Sequence, residues 1–347
     1  MKIVWLSSRV LGSDLCSTTQ VQLANGLVER GHTVDVYSPG ESVDNQFNHH
    51  PVKRSKRRGF QSSSVAKNLV HRLDQINSSD VVLIDWTIFS IAKHIIRPVI
   101  LMDRGPPADG GVLAKLQWRP WNRAWRDSTR GTTVSDSHRE FVSIRTNTHK
   151  ASIQVLPAGV DLDLFKSRRK SGEIKLAYHG KVDVKRGVMS LPMILAGLHS
   201  QGVDATLHIH GDGDALARLK NIELEGLEVT ESLPQEKLAN LLSTYDVGLL
   251  PMPEDKVWNL ASPLKRSEYL ASGMVVCGID HTGHQLSESG EWLKLSSQEE
   301  FITKTVSWIR SLTRDSLSKL QIESRNYAEK NLSWSHSIDT LESMILS

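Results

Sequence analysis

Apolar and polar residues alternate along the first half of the chain in blocks that predict a repeated strand–helix order. Short apolar runs are typical of buried strands, and the segments between them have apolar positions at helical spacing. The predicted strands are residues 2–7, 33–38, 81–85, 99–102, 131–134 and 152–156. The predicted helices are residues 17–30, 65–77, 88–94 and 136–147, and residues 41–64 are predicted to be a polar loop.

The same order restarts in the second half of the chain. The predicted strands there are residues 173–179, 206–210, 227–229, 247–251 and 274–279, with helices at 187–200, 215–221, 235–244 and 262–272. Strands that alternate with helices predict a parallel sheet covered on both faces. The predicted fold class is therefore α/β, with two doubly wound, Rossmann-like domains that face each other across a cleft. Ligands of such sheets bind at the carboxyl ends of the strands.

Residues 260–276 carry the most chemical information. Ser262 is expected to cap a helix whose first residue is Pro263. Lys265 and Glu268, three residues apart, would then project from one face of the first turn. A helix N-terminus beside a lysine favours phosphate, and a carboxylate can accept hydrogen bonds from two sugar hydroxyls. An ordinary amphipathic helix with an exposed ion pair would show the same spacing.

This segment resembles the nucleotide-binding helix of the family 4 glycosyltransferases, a retaining group with the GT-B fold. The resemblance rests on the pattern Pro-x-Lys-x-x-Glu-Tyr-x-Ala-x-Gly at residues 263–273, followed by Val275 and Val276. Four further matches occur in the family's order, at residues 6–34, 156–165, 178–187 and 209–213. The resemblance covers nearly the whole chain, and it implies the GT-B fold.

The resemblance also implies how the domains and the reaction are arranged. Residues 1–165 would bind the acceptor, residues 166–330 would bind the nucleotide sugar, and residues 331–347 would form a helix that crosses back to the first domain. The implied function is retaining transfer of a sugar, hexose-like, from a nucleotide-diphosphate sugar to an acceptor in glycan, polysaccharide or glycolipid assembly. The implied mechanism is front-face attack with the departing phosphate as base, and the nucleotide sugar is a co-substrate without a further cofactor.

Four residues are candidates for the catalytic step. By resemblance, Lys181 is the cation that grips the diphosphate, and Arg186 stands where the family usually has lysine. Asp103 and Arg104 end a predicted strand where many relatives place a histidine that faces the donor sugar. Asp103 could act as a base and Arg104 as a phosphate-facing cation, or the two could pair locally in a turn. Because neither an Asp-x-Asp motif nor a Cys/His cluster has metal-ligand spacing, cations are expected to replace a metal.

The predicted donor contacts surround the helix at residues 262–272. By resemblance, Glu268 would accept from the ribose hydroxyls, and Lys265 would lie near the phosphates or the donor sugar. Leu260 stands where the family commonly has a second glutamate, so the resemblance does not identify the donor sugar. The other predicted donor-side residues are Ser262, Leu264, Gly211, Gly12 and Ser13.

Composition is that of an ordinary globular protein, with 39% apolar and 23% charged residues. No apolar run approaches the roughly 18–20 residues of a membrane span, and the first apolar run is too short for a signal peptide. Cys16 and Cys277 fall in separate predicted domains, so a reducing cytoplasm is expected. The net charge of +3 divides into +6 over residues 1–165 (21 basic minus 15 acidic) and −3 over the rest (21 minus 24). This asymmetry favours an anionic partner for the first domain, and no nucleic-acid motif accompanies it.

Two clusters in the first domain suggest contact with an anionic membrane surface on its cytoplasmic side. Aromatic rings with flanking cations suit the lipid headgroup region, and basic loops are attracted to anionic lipid. Core packing of the aromatic stripe is the alternative that helical spacing leaves open. The aromatic stripe is Trp118, Trp121 and Trp125, and the basic loop at residues 53–58 includes Lys53, Arg54 and Arg57.

Two other classes of function also fit parts of this pattern. A sugar-nucleotide epimerase of the same fold would need acid–base carboxylates and histidines around the sugar, and Asp103 is the main candidate for them. A non-catalytic GT-B sugar-binding protein would account for the departures at Leu260 and at Asp103 and Arg104.

Overall fold

The computed structural model describes residues 1–347 except positions 13, 15, 16, 42–44, 58, 108–111, 169–171, 256, 257 and 289, and except the side chains of residues 112–114. Ser13, Cys16 and Arg58, which the sequence analysis considered, lie outside the described residues. The chain divides into two compact units, Met1–Ala158 with Trp334–Ser347, and Gly159–Ser333. The first boundary therefore falls before Gly159, earlier than the predicted boundary after residue 165.

The first unit is built on a parallel sheet in the order β3-β2-β1-β4-β5-β6-β7. Its helices are α1 (Ser17–Glu29), α2 (Gln61–Val70), α3 (Leu73–Asn77), α4 (Val112–Asp127) and α5 (Asp136–Thr146). Its strands are β1 (Lys2–Leu6), β2 (Thr33–Ser38), β3 (Asn48–Pro51), β4 (Val81–Asp85), β5 (Val99–Met102), β6 (Gly131–Thr133) and β7 (Ile153–Val155).

The first unit differs from the prediction in three elements, one of which is α4, since no helix was predicted over residues 112–127. The predicted polar loop at residues 41–64 contains the edge strand β3, which pairs in parallel only with β2. Its polar side chains are held by Asp35, to which Asn48 donates a hydrogen bond at 3.0 Å and His50 lies at 3.0 Å. The helix predicted at residues 65–77 is two helices, α2 and α3.

The second unit has a parallel sheet in the order β10-β9-β8-β11-β12-β13. Its strands are β8 (Ile174–His179), β9 (Ala205–His210), β10 (Leu227–Thr230), β11 (Val247–Leu250), β12 (Val275–Ile279) and β13 (Leu293–Ser296). Its helices are α6 (Leu191–Ser200), α7 (Leu216–Lys220), α8 (Gln235–Leu242), α9 (Leu264–Ala271), α10 (Phe301–Ser311) and α11 (Arg314–Asn331). No element was predicted between residues 280 and 330, so β13, α10 and α11 are additional elements.

Helix α12 (Trp334–Leu346) belongs to the first unit, where it packs against α1. A Cβ on Gly26 of α1 would lie 2.1 Å from Ile338 Cδ1, so the Ile338 side chain packs directly on the backbone of α1 at this glycine. Arg30 forms ion pairs with Asp339 and Glu342 of α12. The end of the chain is thereby fixed to the first sheet's helical layer.

Each unit has its own apolar core along its sheet, as expected when strands are covered on both faces. The two parallel sheets with their alternating helices confirm the predicted fold class of two Rossmann-like domains. Among the described helices, none is both long enough and apolar enough to cross a bilayer.

Candidate functional site

The carboxyl edge of the second sheet brings most of the predicted donor-side residues together. Gly180 and Gly211 follow β8 and β9, and a Cβ on Gly211 would lie 1.8 Å from the Gly180 carbonyl oxygen. Gly187 has a positive φ of 74°, and a Cβ there would lie 2.2 Å from the Pro251 carbonyl oxygen. Gly211 therefore permits close contact between backbones, and Gly187 brings the turn that carries Arg186 against the end of β11.

Lys265, in the first turn of α9, points back to the end of β8. Its Nζ donates a hydrogen bond to the Tyr178 hydroxyl at 3.0 Å and lies 4.1 Å from the centre of that ring. No described carboxylate lies within ion-pair distance of it. Burial, together with repulsion from Arg186, lowers the pKa of Lys265 to about 7 against the opposing effect of Glu268. This ammonium group therefore lacks a neutralising partner within the described part of the chain.

Tyr178 links Lys265 to the backbone at Lys181. Burial raises the pKa of the Tyr178 hydroxyl, so it stays protonated and donates to the Lys181 carbonyl oxygen at 2.6 Å. The Lys181 side chain itself is exposed. The Tyr178 hydroxyl thus accepts a hydrogen bond from the Lys265 side chain and donates one to the Lys181 backbone.

Arg186 is the second half-buried cation at this edge. Its Nη1 contacts the Met252 sulfur at 3.3 Å, its guanidinium lies 5.8 Å from the Trp258 ring centre, and its Nε lies 3.6 Å from Asp183. A separation of 3.6 Å is a loose ion pair. Arg186 and Lys265 therefore concentrate positive charge at the strand ends.

The N-terminus of α9 differs from the prediction by one residue. Pro263 is the N-cap and Leu264 the first helical residue, and no side chain forms a capping hydrogen bond. Ser262 is therefore not the cap that the sequence predicted. The first amide N–H groups of α9, including that of Leu264, have no intrahelical acceptor and are suited to an anion.

Glu268 contacts a residue that the sequence analysis did not select, His179. The Nε2 atom of His179, the last residue of β8, lies 3.1 Å from Glu268 Oε2. The signal for His179 was its place at the carboxyl end of a strand, where ligand-binding residues of parallel sheets occur.

Arg266 was also missed, although it follows Lys265 directly. Its Nη1 donates to the carbonyl oxygens of Gly283 at 3.0 Å and Gln285 at 2.8 Å. Burial lowers the pKa of Arg266 to about 10. Arg266 ties the loop after β12 to α9 and thereby fixes the start of the helix that carries Lys265.

In the first unit, Asp103 is wrong as a candidate catalytic base, because its side chain is fully buried. The Trp121 and Trp125 indoles donate to its Oδ2 at 2.7 and 2.8 Å, and Gly105 N–H donates to Oδ1 at 2.9 Å. His138 Nε2 lies 3.4 Å from Oδ2. Burial alone would raise the pKa of Asp103, but His138 and these hydrogen bonds outweigh it and lower the pKa. Asp103 is a structural anchor for α4.

Arg104 does not pair with Asp103, which excludes the predicted local pair. It donates to the Leu156 carbonyl oxygen at 2.8 Å and to Thr19 Oγ1 at 3.3 Å. It therefore connects the end of β5 to α1 and to the end of β7. Gly12 has a positive φ of 80°, and a Cβ there would meet no described atom within 4 Å.

The aromatic stripe is core, so the prediction that it faces lipid is wrong. Trp121 and Trp125 are buried, and Trp118 packs partly buried beside Phe141. Spacing alone could not decide this, since a core face and a lipid face share the same helical period.

Arg54 in the basic loop is likewise unavailable to lipid. It donates to Asp14 Oδ2 at 2.6 Å and to the Ser8 carbonyl oxygen at 3.0 Å. Lys53 and Arg57 are exposed, as is Lys56 between them.

Comparison with known proteins gives one family and several solved structures. The family described as Glycosyltransferase Family 4 matches residues 17–164. No curated protein sequence matches the chain. The structure is similar to sucrose-phosphate synthase from Thermosynechococcus elongatus, with a TM-score of 0.80 and 13% identity over 99% of this chain and 98% of that one.

Two similar structures were solved with nucleotides. HepE from Anabaena, in complex with UDP-glucose, has a TM-score of 0.75 and 11% identity, over 99% of both chains. The catalytic domain of starch synthase IV from Arabidopsis thaliana, bound to ADP and acarbose, has a TM-score of 0.73 and 10% identity over 99% of this chain and 98% of that one. At such identities the likeness shows the fold. The chain has the GT-B fold, and its residues 17–164 are similar to Glycosyltransferase Family 4.

Proposed function

We propose that this protein is a glycosyltransferase that moves a sugar from a nucleoside-diphosphate sugar to an acceptor bound by the first unit. The observation that carries the proposal is that two cations, Lys265 and Arg186, repel each other beside the N-terminus of α9, where no side chain caps the helix. Neighbouring cations repel each other unless an anion lies between them. Similar folds solved with UDP-glucose and with ADP make a nucleoside diphosphate the appropriate anion.

The proposed reaction retains the configuration at the anomeric carbon and needs no metal. The acceptor oxygen bonds to that carbon on the face from which the diphosphate leaves, and the acceptor proton passes to the leaving phosphate oxygen. Lys265, Arg186 and Lys181 would neutralise the charge that grows on the phosphate as its bond to the sugar breaks. Glu268 would accept hydrogen bonds from the ribose hydroxyls.

We further propose that the acceptor is a glycan or lipid-linked molecule presented at an anionic membrane surface. Because the tryptophan stripe is core, the lipid-facing groups would be cations on exposed positions of the first unit. In the loop before α2 these are Lys53, Lys56 and Arg57, and on the outer face of α4 they are Lys115, Arg119 and Arg126. Each basic residue near such a surface contributes about 1 kcal/mol to binding.

The epimerase alternative loses its main support, since Asp103 is buried and bound on both carboxylate oxygens. A buried carboxylate with this many donors cannot exchange protons with a sugar carbon. Glycosyl transfer therefore remains the better supported chemistry for this fold.

The test is release of nucleoside diphosphate from UDP-, ADP- and GDP-sugars by the purified protein, with and without added acceptor glycans. We expect release from one donor class, unchanged by EDTA, and loss of donor affinity in Glu268→Ala by about 1.5–3 kcal/mol. Glu225→Ala, an exposed carboxylate of the same unit, is the control. No binding of any nucleotide sugar would contradict the proposal. Inhibition by EDTA that added metal reverses would contradict its metal-independent part.

A further inference from the structure

We infer that His179 is a positioning residue that holds Glu268 in place for the hydroxyl groups of the donor's ribose; this inference rests on the proposed function of the donor site. His179 is 7% exposed, and its Nε2 lies 3.1 Å from Glu268 Oε2. No other described side chain forms an ion pair or hydrogen bond with Glu268. Among the described side chains, His179 is thus the one that lies close enough to contact this carboxylate directly.

The imidazole is itself fixed by Tyr269. Its ring meets the Tyr269 ring edge to face, with centres 5.1 Å apart and planes at 89°. The His179 backbone N–H donates to the Tyr269 hydroxyl at 3.2 Å. The fully buried Tyr269 ring packs directly on Gly248 of β11, where a Cβ would lie 2.2 Å from the ring. A rigid series of contacts therefore runs from the sheet through Tyr269 and His179 to Glu268.

The contact between His179 and Glu268 leaves the carboxylate free to accept from a ligand. Although the two atoms are 3.1 Å apart, Nε2 forms no aligned hydrogen bond with any described group. The contact lacks the alignment of a hydrogen bond, so His179 borders the carboxylate without occupying an oxygen lone pair in a directed bond. A 2′,3′-diol, with two adjacent donors, is the ligand group that such an oriented carboxylate suits.

This role predicts an effect on ribose recognition and not merely on stability. If His179 acts through Glu268, its loss should weaken binding of a ribonucleotide and leave binding of a nucleotide without those hydroxyls nearly unchanged. A residue that only supports the fold would weaken both ligands equally.

The experiment measures the dissociation constants of UDP and ADP, then those of the 2′-deoxy and 3′-deoxy forms of whichever binds more tightly. In the wild type, the loss of one hydroxyl should weaken binding about tenfold or more, as for a hydrogen bond to a charged group. In His179→Phe, which keeps a ring against Tyr269, the dissociation constant of the deoxynucleotide should exceed that of the ribonucleotide by about threefold or less. This quotient of the two constants is the ribo-to-deoxy ratio. His179→Gln, which retains an N–H near the Nε2 position, should restore part of the ratio.

His210→Phe is the matched control. His210 is the register partner of His179 at the end of β9, and it is buried against Tyr245 and Thr230 without contacting Glu268. Its substitution should leave the ribo-to-deoxy ratio at the wild-type value. An unchanged ratio in His179→Phe would overturn this inference while the nucleotide site stands. Failure of the wild type to bind any of these diphosphates would overturn the proposed function as well.

Discussion

The carboxyl edges of the two sheets contain similar residues, but charge is neutralised in one and left uncompensated in the other. In the first unit, Asp103 binds two indole N–H groups, and Asp85 accepts from Ser7 at 2.6 Å with Arg9 at 3.5 Å. In the second unit, the one hydrogen-bond partner of Lys265 among the described residues is the Tyr178 hydroxyl.

This difference separates residues that support the fold from residues available to a ligand. Burial of a charge without a partner is unfavourable, so a protein keeps such a charge where a ligand can pair with it. The pKa of Lys265 is lowered first by burial and then by repulsion from Arg186, because both make the charged form of the side chain less favourable. By this reasoning we propose the strand ends of the second unit as the anion site, whereas the buried Asp103 has a structural role.

The largest expected effect is loss of stability in Asp103→Ala. The change leaves the indole donors of Trp121 and Trp125 and the His138 ring without their acceptor. Removing one partner of a buried charged cluster costs about 3–5 kcal/mol. Urea denaturation measures this loss, and Asp127→Ala at the exposed end of α4 should stay within about 1 kcal/mol of the wild type. A stable Asp103→Ala protein that had lost only turnover would return Asp103 to catalysis.

The next effect is on turnover in Arg186→Ala. Because Arg186 would act on charge that grows as the phosphate leaves, we expect kcat to fall roughly 100-fold, as when one transition-state donor is removed. Binding of the free nucleoside, which lacks phosphate, should change little. Arg218→Ala, an exposed arginine of α7, is the control. Equal losses in turnover and nucleoside binding would make Arg186 a support of the fold and not a phosphate contact.

The smallest effect per residue concerns the surface of the first unit, where charge is exposed away from the strand ends. Neutralising Lys53, Lys56 and Arg57 together should weaken sedimentation with phosphatidylglycerol–phosphatidylcholine vesicles by about 1 kcal/mol per residue. Higher salt should reduce wild-type binding too, because screening shortens the reach of the charges. Neutralising Lys237, Lys304 and Lys319 of the second unit is the matched control. Equal sedimentation of all three proteins would contradict the membrane proposal.

The alternation of apolar strands and helices was enough to predict both sheets, because each strand is buried on two faces. It could not predict β3, whose Asn-His-His-Pro sequence has no apolar alternation and is held through Asp35. Nor could it predict the role of Asp103. The tryptophans that bind this carboxylate follow it by 18 and 22 residues, and only the packing of α4 brings them back.

The candidate site was predicted in part. Lys265 and Glu268 were selected as candidates because their spacing within one helix is a local property of the sequence. His179 and Arg266 were not selected. His179 contacts Glu268, which is 89 residues later in the chain, and Arg266 contacts carbonyl oxygens 17 and 19 residues later. Contacts at such separations depend on the assembled sheet.

The most direct test of the anion site is calorimetry of nucleoside-diphosphate binding at pH 8 in buffers of different ionisation enthalpy. The pKa of Lys265 is about 7 in the free protein, so at pH 8 most molecules lack this proton. A bound diphosphate favours the charged form and raises that pKa, so binding should take up about one proton, and affinity should fall as pH rises above 7. In Lys265→Met the uptake should vanish and affinity should drop, while Lys319→Met should match the wild type.

Thermal stability of the same variants completes this measurement. The folded-state pKa of Lys265 lies below its ordinary value of 10.5, so the unfolded chain binds more protons between those two values, and the group's contribution to stability rises with pH across that window. Lys265→Met should therefore be at least as stable as the wild type at pH 7 to 8 while it binds the diphosphate poorly. Tight binding by Lys265→Met, or wild-type binding without proton uptake, would contradict the assignment of this edge as the anion site.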